Sequence, residues 1–138
     1  MTIQVRQTSA SSSEASIRQH RVMIDRPADK GGTDKGPMGG ELFLAGVGGC
    51  FMSNVLAAIG ARKAPVSEVV IDVTATMEGT PPRFSRVAIV VSSDAADHDQ
   101  FTKVIETAER GCIMVNTLRA TIDLTVGIAA ANVIQRAK

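Results

Sequence analysis

Tryptophan and tyrosine are absent from this 138-residue chain, and only four phenylalanines are present. A platform for stacking bases needs several aromatic rings, so single-strand nucleic-acid binding of that kind has no basis. The core has to be built from Val, Ile, Leu, Met and Ala. An excess of charge is missing too. Fifteen basic residues balance fourteen acidic ones to leave a net charge of +1, with no Lys/Arg stripe and no acidic tail. Nucleic acid and anionic membrane surfaces therefore have no electrostatic handle. Two cysteines are too few for a disulfide scaffold. The only histidines, His20 and His98, have no Cys or His at zinc-ligand spacing. A Cys-His hydrolase would need one of them beside a cysteine. The N-terminal MTIQVRQTSASSSEAS lacks the basic and apolar regions of a secretion signal, which makes a cytoplasmic location the expectation. In a reducing compartment, two thiols are either buried bystanders or a redox couple.

The length suits a single domain over residues 1–138. Ile3 and Val5 alternate with Gln4 and Arg6 as a short strand. After the polar turn Ser9 to Ser13, a second strand runs from about Ala15 to Ile24 and completes a hairpin. Asp25 to Gly40 holds two prolines and five glycines and reads as a long loop, the kind that often carries function. No Gly-Lys-Ser/Thr follows it, so it does not match a phosphate cradle.

Leu42 to Ala61 is twenty residues without a charge. That length raises a membrane span, but four glycines, Ser53 and Asn54 argue for a buried central helix. At a spacing of four, Phe43, Val47, Phe51, Val55 and Ile59 form a bulky ridge suited to packing under a sheet. Ala45, Gly49, Ser53, Ala57 and Ala61 form a ridge of small residues, and Gly46, Cys50, Asn54 and Ala58 form another beside it. The small ridges let a second backbone come close. A partner subunit is the natural cover, which predicts a twofold homodimer.

Val69 to Glu78 alternates as a strand with one wet face, and Val87, Ile89 and Val91 mark the next. Asp97 begins a second helix as its cap, with Gln100 three places on and Phe101, Val104, Ile105 and Ala108 as the buried stripe. Gly111 is a natural stop or bend, and Cys112 follows it. Ile122 to Ile128 alternates as a last strand, and the tail from Ala129 to Lys138 fits a frayed helix or a strand extension. The order β-β-α-β-β-α-β places the chain in the α+β class with mainly antiparallel sheets.

A reactive cysteine needs a cation or a helix N-terminus to favour its thiolate. Cys50 lies about two turns inside its helix, beyond useful reach of the dipole, and would need an Arg from elsewhere. Cys112 sits where a new helical turn begins. Free cysteines are also common core residues, so both readings stay open for each. The pattern does not show whether the two meet.

Three stretches bear a family likeness. They are Gln19-His20-Arg21 through Asp25-Arg26-Pro27 to Gly31-Gly32-Thr33-Asp34-Lys35-Gly36-Pro37, then Glu41 to Cys50, and then Pro81-Pro82-Arg83-Phe84 with Ala108 to Leu118. In these the chain resembles the OsmC/Ohr family of osmotically induced and organic hydroperoxide resistance proteins. The resemblance implies an intertwined homodimer around two central helices. It also implies a thiol peroxidase that needs no metal or organic cofactor, takes organic hydroperoxides and is recycled by a dithiol reductant. By the same resemblance Cys50 attacks the peroxide, Cys112 resolves the sulfenic acid, and Glu41 and Arg26 hold the thiolate ready, with Arg18 the second choice of arginine. The chain departs from the family at Ile113-Met114, where a Pro-Val pair is usual, and at Gly40, where one branch carries the glutamate. The alternative is a non-catalytic dimer of the same fold that binds an apolar ligand or senses redox state.

Overall fold

The computed structural model describes residues 1–130. Three strands, β1 (Gln4–Gln7), β2 (Ser13–Ile17) and β3 (His20–Ile24), precede a 3-10 turn at Ala28–Lys30 and the long helix α1 (Gly39–Arg62). Then come β4 (Val70–Glu78), β5 (Arg83–Ser92), α2 (His98–Gly111), α3 (Ile113–Leu118) and β6 (Asp123–Ile128). The α+β class holds, with two three-stranded sheets, β1-β2-β3 and β4-β5-β6. Three of the four strand pairings are antiparallel; β6 lies parallel to β5. A parallel neighbour needs a crossover connection, and α2 with α3 supplies it.

The residues group into two compact units that divide after Phe43. In the first, the single strand expected from Ala15 to Ile24 is instead the hairpin β2-β3. Ile17 pairs with His20, and Arg18 bends the chain with φ 55°. A two-residue turn with an arginine in the left-handed region carries none of the Asn-Gly or Asp-Gly signal that marks such turns. The loop that follows is organised by Asp25, which is only 2% exposed. Its carboxylate accepts from the Arg26 amide (2.8 Å), the Thr33 amide (3.1 Å) and hydroxyl (2.6 Å), and the Lys35 amide (3.2 Å). The Thr33 hydroxyl is the largest influence holding that carboxyl well below the usual range, while burial works against it. Gly32 and Gly36 are needed where the loop doubles back, because a Cβ there would lie 1.9 Å from the Arg26 carbonyl oxygen and 2.2 Å from that of Met23.

Helix α1 begins at Gly39, three residues before the uncharged run. Glu41 lies in its first turn, and its Oε2 accepts the Met38 amide at 2.8 Å. This is the reciprocal half of a capping box, which satisfies one of the donors a helix start leaves over.

In the second unit the bulky ridge is buried as its spacing implies. Val47, Phe51 and Val55 are 0% exposed. Val87, Ile89 and Val91 of β5, Phe101, Val104, Ile105 and Ala108 of α2, and Val115 of α3 complete this unit's core. Asp97 caps α2 by accepting the Gln100 amide at 2.9 Å. Helix α1 is long and apolar enough to cross a membrane by length and composition, yet these core residues turn one side of it inward. After β6, Ala129 adds one more bond, from its amide to the Val91 carbonyl oxygen at 2.8 Å. The rest of the expected tail, from residue 131, lies outside the described residues.

Candidate active site

Cys50 sits about three turns inside α1, on the stripe shared with Asn54 and Ala58. Cys112 occupies the one-residue corner between α2 and α3, with extended backbone (φ −78°, ψ 115°), and its carbonyl accepts the Asn116 amide at 3.0 Å to open the second helix. The corner is braced on the α2 side by Asn116 Nδ2 to the Arg110 carbonyl oxygen (3.1 Å) and by an ion pair between Arg119 and Glu109. Gly111 ends α2 directly above Asn54, whose Nδ2 donates to the Cys50 carbonyl oxygen at 2.9 Å.

This arrangement brings the two sulfurs, 62 positions apart in sequence, to 3.4 Å, with the Cys112 thiol donating to Cys50 Sγ. Cys112 is fully buried, whereas Cys50 is half-buried. Burial pushes the Cys112 thiol above its ordinary range. The neighbouring Cys50 sulfur raises it further, and the Val115 and Met114 amides pull the other way. Cys112 therefore keeps its proton while Cys50 is the sulfur open to a reagent. Within the stripe of Gly46, Cys50, Asn54 and Ala58, the side chains of Cys50 and Asn54 meet the chain's own Gly111-Cys112 corner, while Gly46 is exposed with open space beside it. Ala45, Gly49, Ser53, Ala57 and Ala61 are exposed in the single chain.

The model of the OsmC-like protein family matches residues 32–127, a span that takes in the later part of the loop, α1 and both cysteines. The chain belongs to the OsmC-like family. A comparison with curated protein sequences found no match. Solved structures of similar fold include an OsmC-like protein from Mycoplasma pneumoniae, 17% identical with a TM-score of 0.79 over 94% of this chain and 96% of that one. An organic hydroperoxide resistance protein from Legionella pneumophila is 17% identical, with a TM-score of 0.74 and the same two coverages. Another organic hydroperoxide resistance protein, from Bacillus subtilis, is 18% identical with a TM-score of 0.68 over 93% of this chain and 96% of that one. At these identities the likeness establishes the OsmC-like fold.

The other site residues implied by the OsmC-like pattern fall in the first unit. Arg26 is exposed; its amide is held by Asp25, and its carbonyl accepts the Asp34 amide at 2.9 Å. The backbone at Arg26 is thus fixed, and its guanidinium faces solvent. Glu41 is exposed and engaged in capping α1. Arg18 is exposed at the tip of the β2-β3 turn. His20 and His98 are exposed at the starts of β3 and α2. Among the described residues, no group of three His, Cys, Asp or Glu side chains is placed to hold a metal ion. Asn54 is the site residue that a reading of the sequence underrates. Its signal is a carboxamide four residues after a cysteine in an otherwise apolar helix. An apolar groove of about 460 Å³ lies between α1 and β4, lined by Leu44, Gly48, Gly49, Met52, Ile71 and Val73.

Proposed function

We propose that the protein is a cysteine-based peroxidase that reduces organic hydroperoxides. The observation that carries this reading is the pair of thiols in contact at 3.4 Å, one half-buried and one fully buried. In the first step the Cys50 thiolate attacks the outer oxygen of the hydroperoxide. The O–O bond breaks, the alkoxide takes up a proton and leaves as the alcohol, and Cys50 becomes a sulfenic acid. In the second step the Cys112 sulfur attacks Cys50 Sγ. The S–S bond forms as the S–O bond breaks, and the Cys112 proton leaves with the hydroxide as water. A dithiol reductant then exchanges with the disulfide and restores both thiols.

Cys50 takes the first role because it is the more accessible sulfur, and Cys112 the second because it is enclosed and adjacent. Membership of the OsmC-like family supports a redox role, as does the likeness in fold to the organic hydroperoxide resistance proteins of Legionella and Bacillus. Arg26 and Glu41 are assigned as the groups that ready the thiolate, Arg18 being the second choice of arginine. The assembly is assigned as a homodimer, with the exposed small-residue ridge of α1 as the surface a partner covers. The apolar groove, whose lining includes the residue before Cys50, favours an organic peroxide over hydrogen peroxide.

The test is peroxide consumption by the reduced protein with cumene hydroperoxide and a dithiol. Turnover that disappears in Cys50→Ser is the expected result. Stoichiometric disulfide formation without turnover would favour a redox sensor, and thiols inert to peroxide would reject both.

A further inference from the structure

We infer that Gly111 and Asn54 form a spacer that sets the reach of Cys112 to Cys50, with both acting as positioning residues for disulfide closure; this rests on reading the two cysteines as a redox pair. Glycine at 111 is not required by backbone conformation. Among the described glycines only Gly31 and Gly79 have φ in the left-handed region, and Gly111 closes a regular helix. It is required by space. A Cβ at 111 would lie 2.9 Å from Asn54 Oδ1, closer than a carbon and an oxygen ordinarily pack, and 3.8 Å from its Cγ, an ordinary contact.

The Asn54 amide is latched in place, because its Nδ2 donates to the Cys50 carbonyl oxygen at 2.9 Å. The bare Cα of Gly111 therefore rests on a carboxamide fastened to the residue that bears the first sulfur. The very next residue carries the second sulfur, 3.4 Å from the first. Closing the disulfide brings those sulfurs from contact to about 2.05 Å. Any lift of the α2-α3 corner falls on this step, in which the S–S bond forms, the S–O bond of the sulfenic acid breaks and water leaves. It does not fall on the earlier attack of Cys50 on peroxide, in which Cys112 forms no bond.

The experiment compares reduced wild type, Gly111→Ala, Gly111→Ala/Asn54→Ser and Asn54→Gln. Each is mixed with one equivalent of cumene hydroperoxide and sampled over time. Dimedone traps Cys50 sulfenic acid, and intact mass counts the disulfide. In Gly111→Ala, Cys50 is expected to oxidise at the wild-type rate. The sulfenic acid then persists, and the disulfide closes about tenfold more slowly, a modest loss beside the roughly hundredfold that a 1 Å misplacement can bring. Serine at 54 keeps a hydroxyl for the Cys50 carbonyl but vacates the space, so the double variant is expected to regain wild-type closure. Wild-type closure in Gly111→Ala, or a double variant as slow as the single, overturns the inference. If Gly111→Ala does not fold, Asn54→Gln carries the same expectation by filling the contact from the α1 side, and unchanged closure there overturns it.

Repeating the series with diamide, which takes two electrons from a thiol pair as it is reduced to a hydrazine, separates the two claims. A wild type that ignores peroxide but closes with diamide, in the same order of rates across the variants, rejects the peroxidase and keeps the spacer. Closure by diamide that is indifferent to the variants rejects the spacer.

Discussion

Oxidation of Cys50 and Cys112 to a disulfide should stabilise the folded chain by an amount that follows from where the sulfurs sit. The bond would close a loop of 62 positions. Restricting an unfolded chain by a loop of that length stabilises the native state by about 4 kcal/mol in the chain-entropy description. Against this stands the native-state movement needed to bring the sulfurs from 3.4 Å to bonding distance. That movement is shared between a helix and a braced corner, and it lowers the net effect to about 2–4 kcal/mol. For a chain of this size, with a urea m-value of about 2 kcal/mol/M, the midpoint should rise by about 1–2 M on oxidation. The absence of Trp and Tyr makes far-UV circular dichroism the suitable probe. Reduced and fully oxidised samples are compared at one protein concentration, because an association equilibrium would otherwise shift the midpoint. Cys112→Ser should lose all dependence on redox state. Equal midpoints for samples whose disulfide content is verified, or a lower one after oxidation, would refute the reasoning. Either would mean that the native fold opposes the bond as much as the loop favours it.

Alkylation of the reduced protein should modify Cys50 well before Cys112, and mass spectrometry reads the order directly. In Cys50→Ser the Cys112 thiol, held high chiefly by burial, should react at useful rates only above the ordinary thiol range near pH 8.5, and more slowly than in urea. Asp25 is held well below its unfolded value of about 4, so the stability it contributes is present above that pH and is lost as pH falls toward its folded value. Asp25→Asn should therefore lower the urea midpoint at pH 7 and flatten its decline between about pH 5 and pH 2. Phe51→Ala empties a fully enclosed site and should cost about 3–5 kcal/mol, a large share of a domain's stability, measured by the same unfolding assay.

Features that depend on neighbours along the chain were legible before the fold was known. The spacing of Val47, Phe51 and Val55 identifies the buried side of α1. Asp97 with Gln100 marks the start of α2, and Gly111 its end. In each case the physics is local, since a helix sets side chains at fixed angular steps and a cap bonds an amide three residues away. Two local features were still obscured. The β2-β3 turn places Arg18 in a conformation that ordinarily selects glycine or asparagine, so an uninterrupted strand was the natural expectation. The first turn of α1 holds two glycines, and its start becomes evident only once Glu41 is seen to accept the Met38 amide.

By itself, then, the sequence determined the α+β class, the long apolar helix with its bulky and small ridges, and the identity of the two candidate sulfurs. It could do so because periodicity and composition act over one or two turns of chain. Tertiary structure alone decided that β6 lies parallel to β5, that the Cys50 stripe receives the chain's own corner, and that the sulfurs touch. Those outcomes depend on the path taken by β4, β5 and α2 between the cysteines and by α3 after them. That path is fixed by packing between distant segments, down to the space left by one missing Cβ against a latched carboxamide.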